Sequence, residues 1–309
     1  MAGIASRRRR RPLITPAVRV LVTGAAGQVG SEIVAQLRER ATARLRGPEL
    51  RIAALSHSDL DVGSRDAVLA AVVGFEPDVV IHPAAWTAVD GCEGDPDRAW
   101  RVNALGTRHV AEAARLVSAH VCYLSTDYVF NGRSARPYVE WDLPDPVSVY
   151  GRTKLGGEME LDRSSTIVRT SWVCGRNGAN MAKTVLRLAS SAGLLQFVDD
   201  QRGSPTMAAD LAAKVVELAM SRRAGTFHVT NQGETTWFGF AAEVLRIAGE
   251  DSSRVKPIKT ADLDPPRPAP RPANSVLENA ALRLGGDELL PPWEVSLNRL
   301  VTELIGGGC

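Results

Sequence analysis

The sequence predicts an α/β protein, a doubly wound parallel sheet with a smaller, mixed α/β lobe toward the C-terminus. Two observations carry that reading. Over the first 170 or so residues, short β-branched runs alternate with helix-like stretches, the rhythm of parallel strands covered on both faces. Beyond them the rhythm breaks, and helical stretches are joined by longer loops. A chain of 309 residues and 33.1 kDa has room for one large domain and a smaller second one.

The elements come in a regular order. Residues 18–22 (Val-Arg-Val-Leu-Val) predict the first strand and 31–40 a helix. A second strand is expected at 51–55, a helix at 66–73, a third strand at 78–81 and one long helix over 99–118. The fourth strand falls at 121–125, a helix at 149–161 and a fifth strand at 166–169. Right-handed crossovers should connect the strands. Helices near 181–191, 209–220 and 238–249 come next, and the proline-rich run 264–272 must be an extended loop. The expected division is a dinucleotide-binding domain over 17–171 plus about 199–231, and a substrate domain over about 172–198 plus 232–309.

Composition narrows the function classes. Apolar residues make up 44% and charged residues 23%, which excludes a disordered or collagen-like chain. The net charge of +2 depends on Arg7 to Arg11; without those five, 32 basic side chains face 35 acidic ones. No nucleic-acid-binding face is therefore expected. Cys92, Cys122, Cys174 and Cys309 lack metal or disulfide spacing and read as reduced thiols of a cytoplasmic protein. No run is long and apolar enough to predict a membrane span. The arginine run is followed by prolines rather than an apolar signal core, so residues 1–16 are expected to be a disordered tail. The last residues, 306–309, are expected to fray.

The first strand runs into Thr23-Gly24-Ala25-Ala26-Gly27-Gln28-Val29-Gly30 and then a helix. Strand, glycine turn and helix N-terminus together bind a dinucleotide pyrophosphate, as in a Rossmann-type sheet. Gly24 allows the turn, Gly27 lets backbone approach the phosphates, and Gly30 lets helix and strand pack closely. The second strand ends in Ser56-His57-Ser58, with no carboxylate before Asp59. Hydrogen-bond donors without an acid there favour NADPH, with NADH as the alternative.

Tyr150-Gly-Arg-Thr-Lys154 puts a phenol and an ammonium group on one helix face. A lysine cation there is expected to lower the phenol's pKa and fit it for general acid catalysis. The fourth strand leads into Ser125-Thr126-Asp127, and a hydroxyl at that strand end opens onto the ligand crevice. Thr126 is expected to hydrogen-bond a substrate carbonyl beside Tyr150.

These motifs occur in series with Ala84-Ala85-Trp86-Thr87-Ala88-Val89-Asp90, Arg169-Thr170-Ser171-Trp172-Val173, residues 199–206 and Arg271-Pro272-Ala273-Asn274-Ser275. The series resembles the dTDP-4-dehydrorhamnose reductase family, extended short-chain dehydrogenase/reductases, over roughly 18–300. The resemblance implies a Rossmann-type fold and NADPH-dependent reduction of the 4-keto group of a dTDP-4-dehydro-6-deoxy-L-sugar. The product would be dTDP-L-rhamnose or, in an antibiotic pathway, a sugar such as dTDP-L-dihydrostreptose. It assigns Gly27, Gln28, Val29 and Gly30 to the pyrophosphate, Asp61 and Val62 to the adenine pocket, and Ala84, Ala85 and Trp86 to the nicotinamide-side ribose. Tyr150 and Lys154 match the acid and its partner, Thr126 and Asp127 substrate contacts, and Trp172 an aromatic of the substrate site. Trp86 stands where the family more often has Tyr or His, and Met181 replaces a common Phe. Arg271 is either a cationic donor to the diphosphate or a tie for the proline loop, whereas Trp237 and Trp293 are expected in the core. No metal site is expected, and a homodimer is left open. Two other readings stand beside the reductase: a regulatory subunit like the methionine adenosyltransferase beta subunit, and a nucleotide-sugar 4-epimerase retaining its cofactor.

Overall fold

Six strands build the central sheet: β1 (Val18–Thr23), β2 (Leu50–Leu55), β3 (Val79–His82), β4 (His120–Thr126), β5 (Thr166–Thr170) and β6 (Gly225–His228). All pair in parallel, in the order β6-β5-β4-β3-β1-β2. The chain reverses direction across the sheet between β1 and β3, and their C-terminal ends open the crevice where ligands bind in such sheets. This computed structural model describes residues 17–43, 49–191 and 193–307. The tail expected at 1–16 and the last two residues, Cys309 included, lie outside them.

Strand alternation sorts the core into two layers. Val20 and Val22 of β1 face α1 (Gln28–Thr42), meeting Ile33 and Leu37; Leu211, Val215 and Leu218 of a later helix, Ala208–Met220, join them. Leu21 points the other way, to Val68 and Val72 of α2 (Arg65–Phe75) and Val110 of α3 (Gly106–Leu116). All three β1 side chains are fully buried, worth about 1.5–3 kcal/mol each.

The five expected strands form with ends shifted by one residue at most, but β6 is a surprise. Its four residues begin at Gly225 and show no alternating pattern, yet Phe227 pairs beside Val168 on the sheet edge. The expected helix over 99–118 is also not one α-helix. Asp95 caps a short turn at Pro96–Ala99, its carboxylate accepting from Arg98 N at 3.0 Å. A wide π-turn at Trp100–Leu105 then leads into α3.

The C-terminal half builds a second core. Ala182 and Val185 of Met181–Ala189, Phe240 and Val244 of Trp237–Ile247, and Trp293 and Leu297 of Trp293–Gly306 pack together. Leu195–Val198 pairs in parallel with Val255–Ile258, and Val173–Cys174 with Thr206–Met207. Arg202–Gly203 pairs antiparallel with Thr235–Thr236. No helix among the described residues is long and apolar enough to cross a membrane.

Candidate active site

The glycine turn sits at the C-terminal end of β1. Gly24 has φ +56°, and a Cβ there would lie 2.8 Å from Ala84 Cα. A Cβ on Gly30 would collide with the Gly24 carbonyl oxygen. Gly27 is the N-cap of α1, so no side chain caps the helix start and no acid stands in its first turn. Its leading amides, from Gln28, Val29 and Gly30, are therefore left for an anion. The Gln28 side chain is engaged elsewhere: Oε1 accepts from Gly175 N and Asn180 Nδ2, both at 3.1 Å.

At the end of β2, His57 and Ser58 are exposed while Ser56 is half-buried. Asp59 folds back so that its carboxylate accepts from Ser56 N at 2.9 Å and Ser56 Oγ at 2.6 Å. A negative charge thus stands beside the three donors expected to meet a 2′-phosphate. Asp61 is exposed and accepts from Gly63 N at 2.9 Å, whereas Val62 is buried against Gly106.

The Ala84-Ala85-Trp86 loop leaves β3 over the same crevice. Its backbone is clamped by Asn103 of the π-turn, whose Oδ1 accepts from Trp86 N at 2.8 Å. Asn103 Nδ2 donates to Trp86 O and to Thr153 Oγ1, each at 3.1 Å. The Trp86 ring lies under the Arg98 guanidinium at 4.4 Å and packs in one apolar cluster with Val149 and Tyr150. Sequence reasoning missed Asn103, because only the wide turn aims it at the loop.

A helix α4 (Val149–Met159), capped by Ser148 Oγ on Gly151 N, carries Tyr150 and Lys154 one turn apart. Both are buried, at 8% and 2% exposure, and the Thr126 hydroxyl at the end of β4 stands close enough to Tyr150 to draw its pKa down. Thr126 and Tyr150 therefore lie together, with Lys154 one turn further along the same helix. Lys154 Nζ donates to Leu124 O at 2.7 Å and lies 4.1 Å from the centre of the Tyr123 ring. Burial pushes its pKa down to about 7, against the raising influence of Glu158.

The expected depression of the Tyr150 pKa is not what the structure shows. Burial raises it above the ordinary tyrosine value, the Thr126 hydroxyl pulls it part of the way back, and Lys154 is not among the groups that shift it. The reason is geometric: the ammonium group is committed to the Leu124 carbonyl and the Tyr123 face.

Behind α4, Arg169 of β5 makes a bidentate pair with Glu158 at 2.9 and 2.7 Å, both side chains 6% exposed. Asp127 is buried behind Thr126, whose Oγ1 donates to its Oδ1 at 2.9 Å. Burial pushes the Asp127 carboxyl up to about 6.

Beyond Tyr150 lies a cavity of about 370 Å³, lined by Tyr128, Met181, Phe197, Gln201, Trp237 and Arg271 among others. The Tyr128 ring meets Tyr150 edge-on at 5.6 Å. Arg271 forms a bidentate ion pair with Asp90 at 2.6 and 2.8 Å, and Ala269 N donates to the same carboxylate at 3.1 Å. It thus ties the proline loop to the segment after the Trp86 loop while also lining the cavity. Trp172, at φ +46°, stacks on Trp237 with ring centres 3.5 Å apart and planes 6° apart. Trp237 is therefore a wall of the cavity rather than a core residue alone; Trp293 is buried in the second core, as expected. Among the described residues no group of His, Cys, Asp and Glu is placed to hold a metal.

Comparison with known proteins finds relatives along most of the chain. Residues 18–305 match the family model described as the RmlD substrate binding domain. The chain is 41% identical to a dTDP-4-dehydrorhamnose reductase of Streptomyces griseus over 300 residues, 94% of this chain and 95% of that one. It is 39% identical to a probable dTDP-4,6-dihydroxy-2-methyloxan-3-one 4-ketoreductase of Streptomyces antibioticus, covering 93% and 96% of the two chains. The crystal structure of a dTDP-4-dehydrorhamnose reductase from Bacillus anthracis in complex with NADP superposes with a TM-score of 0.84 at 38% identity, over 93% of this chain and 99% of the other.

Proposed function

From the premise that the chain belongs to the dTDP-4-dehydrorhamnose reductase family, we propose that it reduces the C4 ketone of a dTDP-4-dehydro-6-deoxy-L-sugar with NADPH. The observation that supports this reading is a buried Tyr150 beside the Thr126 hydroxyl, one helical turn from a buried Lys154 and edge-on to Tyr128 of a cavity also lined by Arg271 and Trp237. The simplest product is dTDP-L-rhamnose; a related sugar such as dTDP-L-dihydrostreptose is the product expected in an antibiotic pathway. The proposed setting is the cytoplasm, and the free, buried thiols Cys92, Cys122 and Cys174 suit a reducing compartment.

The residues present fit the cofactor. The uncapped, acid-free start of α1 offers amides to a pyrophosphate, and the crowding at Gly24 and Gly30 admits no side chain. Ser56, His57 and Ser58 would face the adenosine side, with Asp61 and Val62 beside the adenine. Ala84, Ala85 and Trp86 would lie under the nicotinamide-side ribose. Bound there, a reduced nicotinamide would supply the hydride for the C4 carbon.

The chain's own groups do the rest. Tyr150 holds its proton at neutral pH because burial disfavours the phenolate. It gives that proton to the C4 oxygen as negative charge builds there. Lys154, with its pKa near neutrality, is held by the Leu124 carbonyl one helical turn from the phenol and would hold the hydroxyls of the nicotinamide-side ribose. Thr126 orients the carbonyl oxygen. Arg271 and the stacked Trp172–Trp237 pair shape the far end of the cavity for the nucleotide diphosphate.

The test is loss of NADPH absorbance with the 4-keto sugar formed in situ, followed by NMR of the product. Tyr150→Phe should bind NADPH as the parent does and lose ~10²–10⁴-fold in kcat. Near-parental turnover would remove the acid from Tyr150. No turnover by the parent on any dTDP-4-keto sugar, with tight binding to another protein, would favour the regulatory reading. Retained cofactor without net NADPH consumption would favour an epimerase.

A further inference from the structure

The side chain of Gln28 has no role in the mechanism above, although its main-chain amide belongs to the turn that would take the pyrophosphate. Nε2 donates to Ala179 O at 3.2 Å, while Oε1 accepts from Gly175 N and from Asn180 Nδ2. One carboxamide thus closes three hydrogen bonds on a loop 147 to 152 residues further along the chain. The approach is close: Gly178 stands at φ +70°, and a Cβ there would lie 2.9 Å from Gln28 Cγ. The next turn of α1 continues the seam. Ser31 Oγ accepts from Asn177 Nδ2 at 2.9 Å, and the buried Glu32 makes a bidentate pair with Arg176 at 3.1 and 3.0 Å.

That loop, 175–180, leads straight into the helix Met181–Ala189. Asn180 is the N-cap of this helix: Oδ1 accepts from Lys183 N at 3.1 Å, and Nδ2 donates to both Gln28 Oε1 and Gly175 O. Lys183 Nζ reaches back to the Arg176 and Gly178 carbonyls, so loop and helix are tied into one piece. Ala182 and Val185 of the helix pack in the second core. Met181, Thr184 and Leu188, spaced as residues of one helical side, form a wall of the cavity of about 370 Å³. Asn180 therefore touches the cofactor turn and starts the helix that walls the substrate site.

The start of α1 has no side-chain cap, and an uncapped helix end is among the least stable parts of a fold. A pyrophosphate on its amides would hold the Gln28 backbone still, and with it the base of the Gln28 side chain. Ordering the loop and the wall then costs less for a ligand that fills the cavity, which couples the two sites with no rearrangement required. We propose that the Gln28–Asn180 hydrogen bond links the two sites, so that NADPH tightens the binding of the sugar nucleotide and the sugar nucleotide tightens that of NADPH by the same factor. Gln28, through its side chain, and Asn180 are positioning residues in this link and act through the helix Met181–Ala189. The proposal rests on the ketoreductase reading.

The experiment is calorimetric titration of NADPH into the full chain, with and without saturating dTDP as the probe. The ratio of the two dissociation constants is the coupling factor, and it can be read even where a substitution changes the affinity for NADPH itself. Coupling between sites typically runs from about 5-fold upward, and the parent should show at least that much. Asn180→Ser keeps a capping hydroxyl but is too short to reach Gln28, and Gln28→Ala removes the other partner; in each the factor should fall below about twofold. The double variant should lose no more than either single one, because both remove the same bond. Arg176→Gln, which loosens the same seam elsewhere, should keep most of the parental factor. Hydrogen exchange in the helix Met181–Ala189 should slow when NADPH binds the parent and stay unchanged in Asn180→Ser. No effect of dTDP on NADPH binding in a parent that turns over, a full factor kept in Asn180→Ser or Gln28→Ala, or a loss in Arg176→Gln as large as theirs overturns the proposal. Absence of turnover by the parent on any dTDP-4-keto sugar defeats the ketoreductase reading instead, and the proposal with it.

Discussion

The buried Glu158–Arg169 pair offers the sharpest test of how the active-site helix is held. Both side chains are 6% exposed, the two hydrogen bonds measure 2.9 and 2.7 Å, and Ser125 Oγ adds a third at 2.5 Å to Glu158 Oε1. Arg169→Met would leave the Glu158 carboxylate buried with one hydroxyl partner. Removing one member of such a pair costs about 3–5 kcal/mol. At roughly 2 °C per kcal/mol for a chain of this size, the midpoint should fall by ~6–10 °C. The assay is thermal unfolding by circular dichroism at neutral pH, with and without saturating NADPH. The double variant Glu158→Gln/Arg169→Met removes the stranded charge and should recover more than half of the loss. The single variant also turns an uncompensated carboxylate toward Lys154 on the same helix, so the lysine pKa should rise from about 7. A fall under 2 °C for Arg169→Met, or a double variant no more stable than the single one, would show that the pair does not hold α4 to β5.

Other consequences can be checked separately. Gly30→Ala should abolish NADPH binding measured by fluorescence quenching, since its Cβ would meet the Gly24 carbonyl oxygen. Arg271→Ala frees Asp90, which that guanidinium holds down at about 2; KM for the sugar nucleotide should rise by ~10-fold, or about 1.4 kcal/mol, with kcat little changed. His82 and His228 are pushed down to about 3 by burial, while an unfolded histidine titrates near ~6.5. Their folded pKa values are depressed, so the unfolded chain binds more protons below that value, and stability should fall as pH drops from about 6.5 toward 3. Asp127, raised to about 6, acts in the opposite sense, but it is one group against two. Urea unfolding at pH 7, 5 and 4 measures this, and equal stability at all three would contradict it.

Much of the large domain is legible in the sequence alone. The runs around Val20, Ile81, Val121 and Val168 are short and apolar, and burial on both faces explains why they read as continuous apolar strands. The glycine turn and the Tyr150–Lys154 spacing are equally plain, because they depend on local geometry alone. The features that stay hidden depend on distant partners. Strand β6 gains its place from pairing with β5, not from its own four residues. The Arg271–Asp90 pair joins positions 181 residues apart, so sequence reasoning leaves two roles for the arginine open. The Tyr150 pKa moves opposite to expectation because helical spacing shows that Lys154 is near, but not that its ammonium group is aimed at Leu124.

The π-turn at Trp100–Leu105 has an evolutionary corollary. A wide turn accommodates one residue more than regular winding would, the usual trace of an insertion into a once-continuous helix. Deleting a single residue there would restore even winding, leave the flanking segments in phase and remove the widening that carries Asn103 toward the Trp86 loop. The carboxamide that grips both edges of the Trp86 peptide could not then stay in register with Thr153. A shortened chain of this kind would gain a smoother helix and lose the clamp on its Trp86 loop, so length variation among its descendants should avoid these six positions.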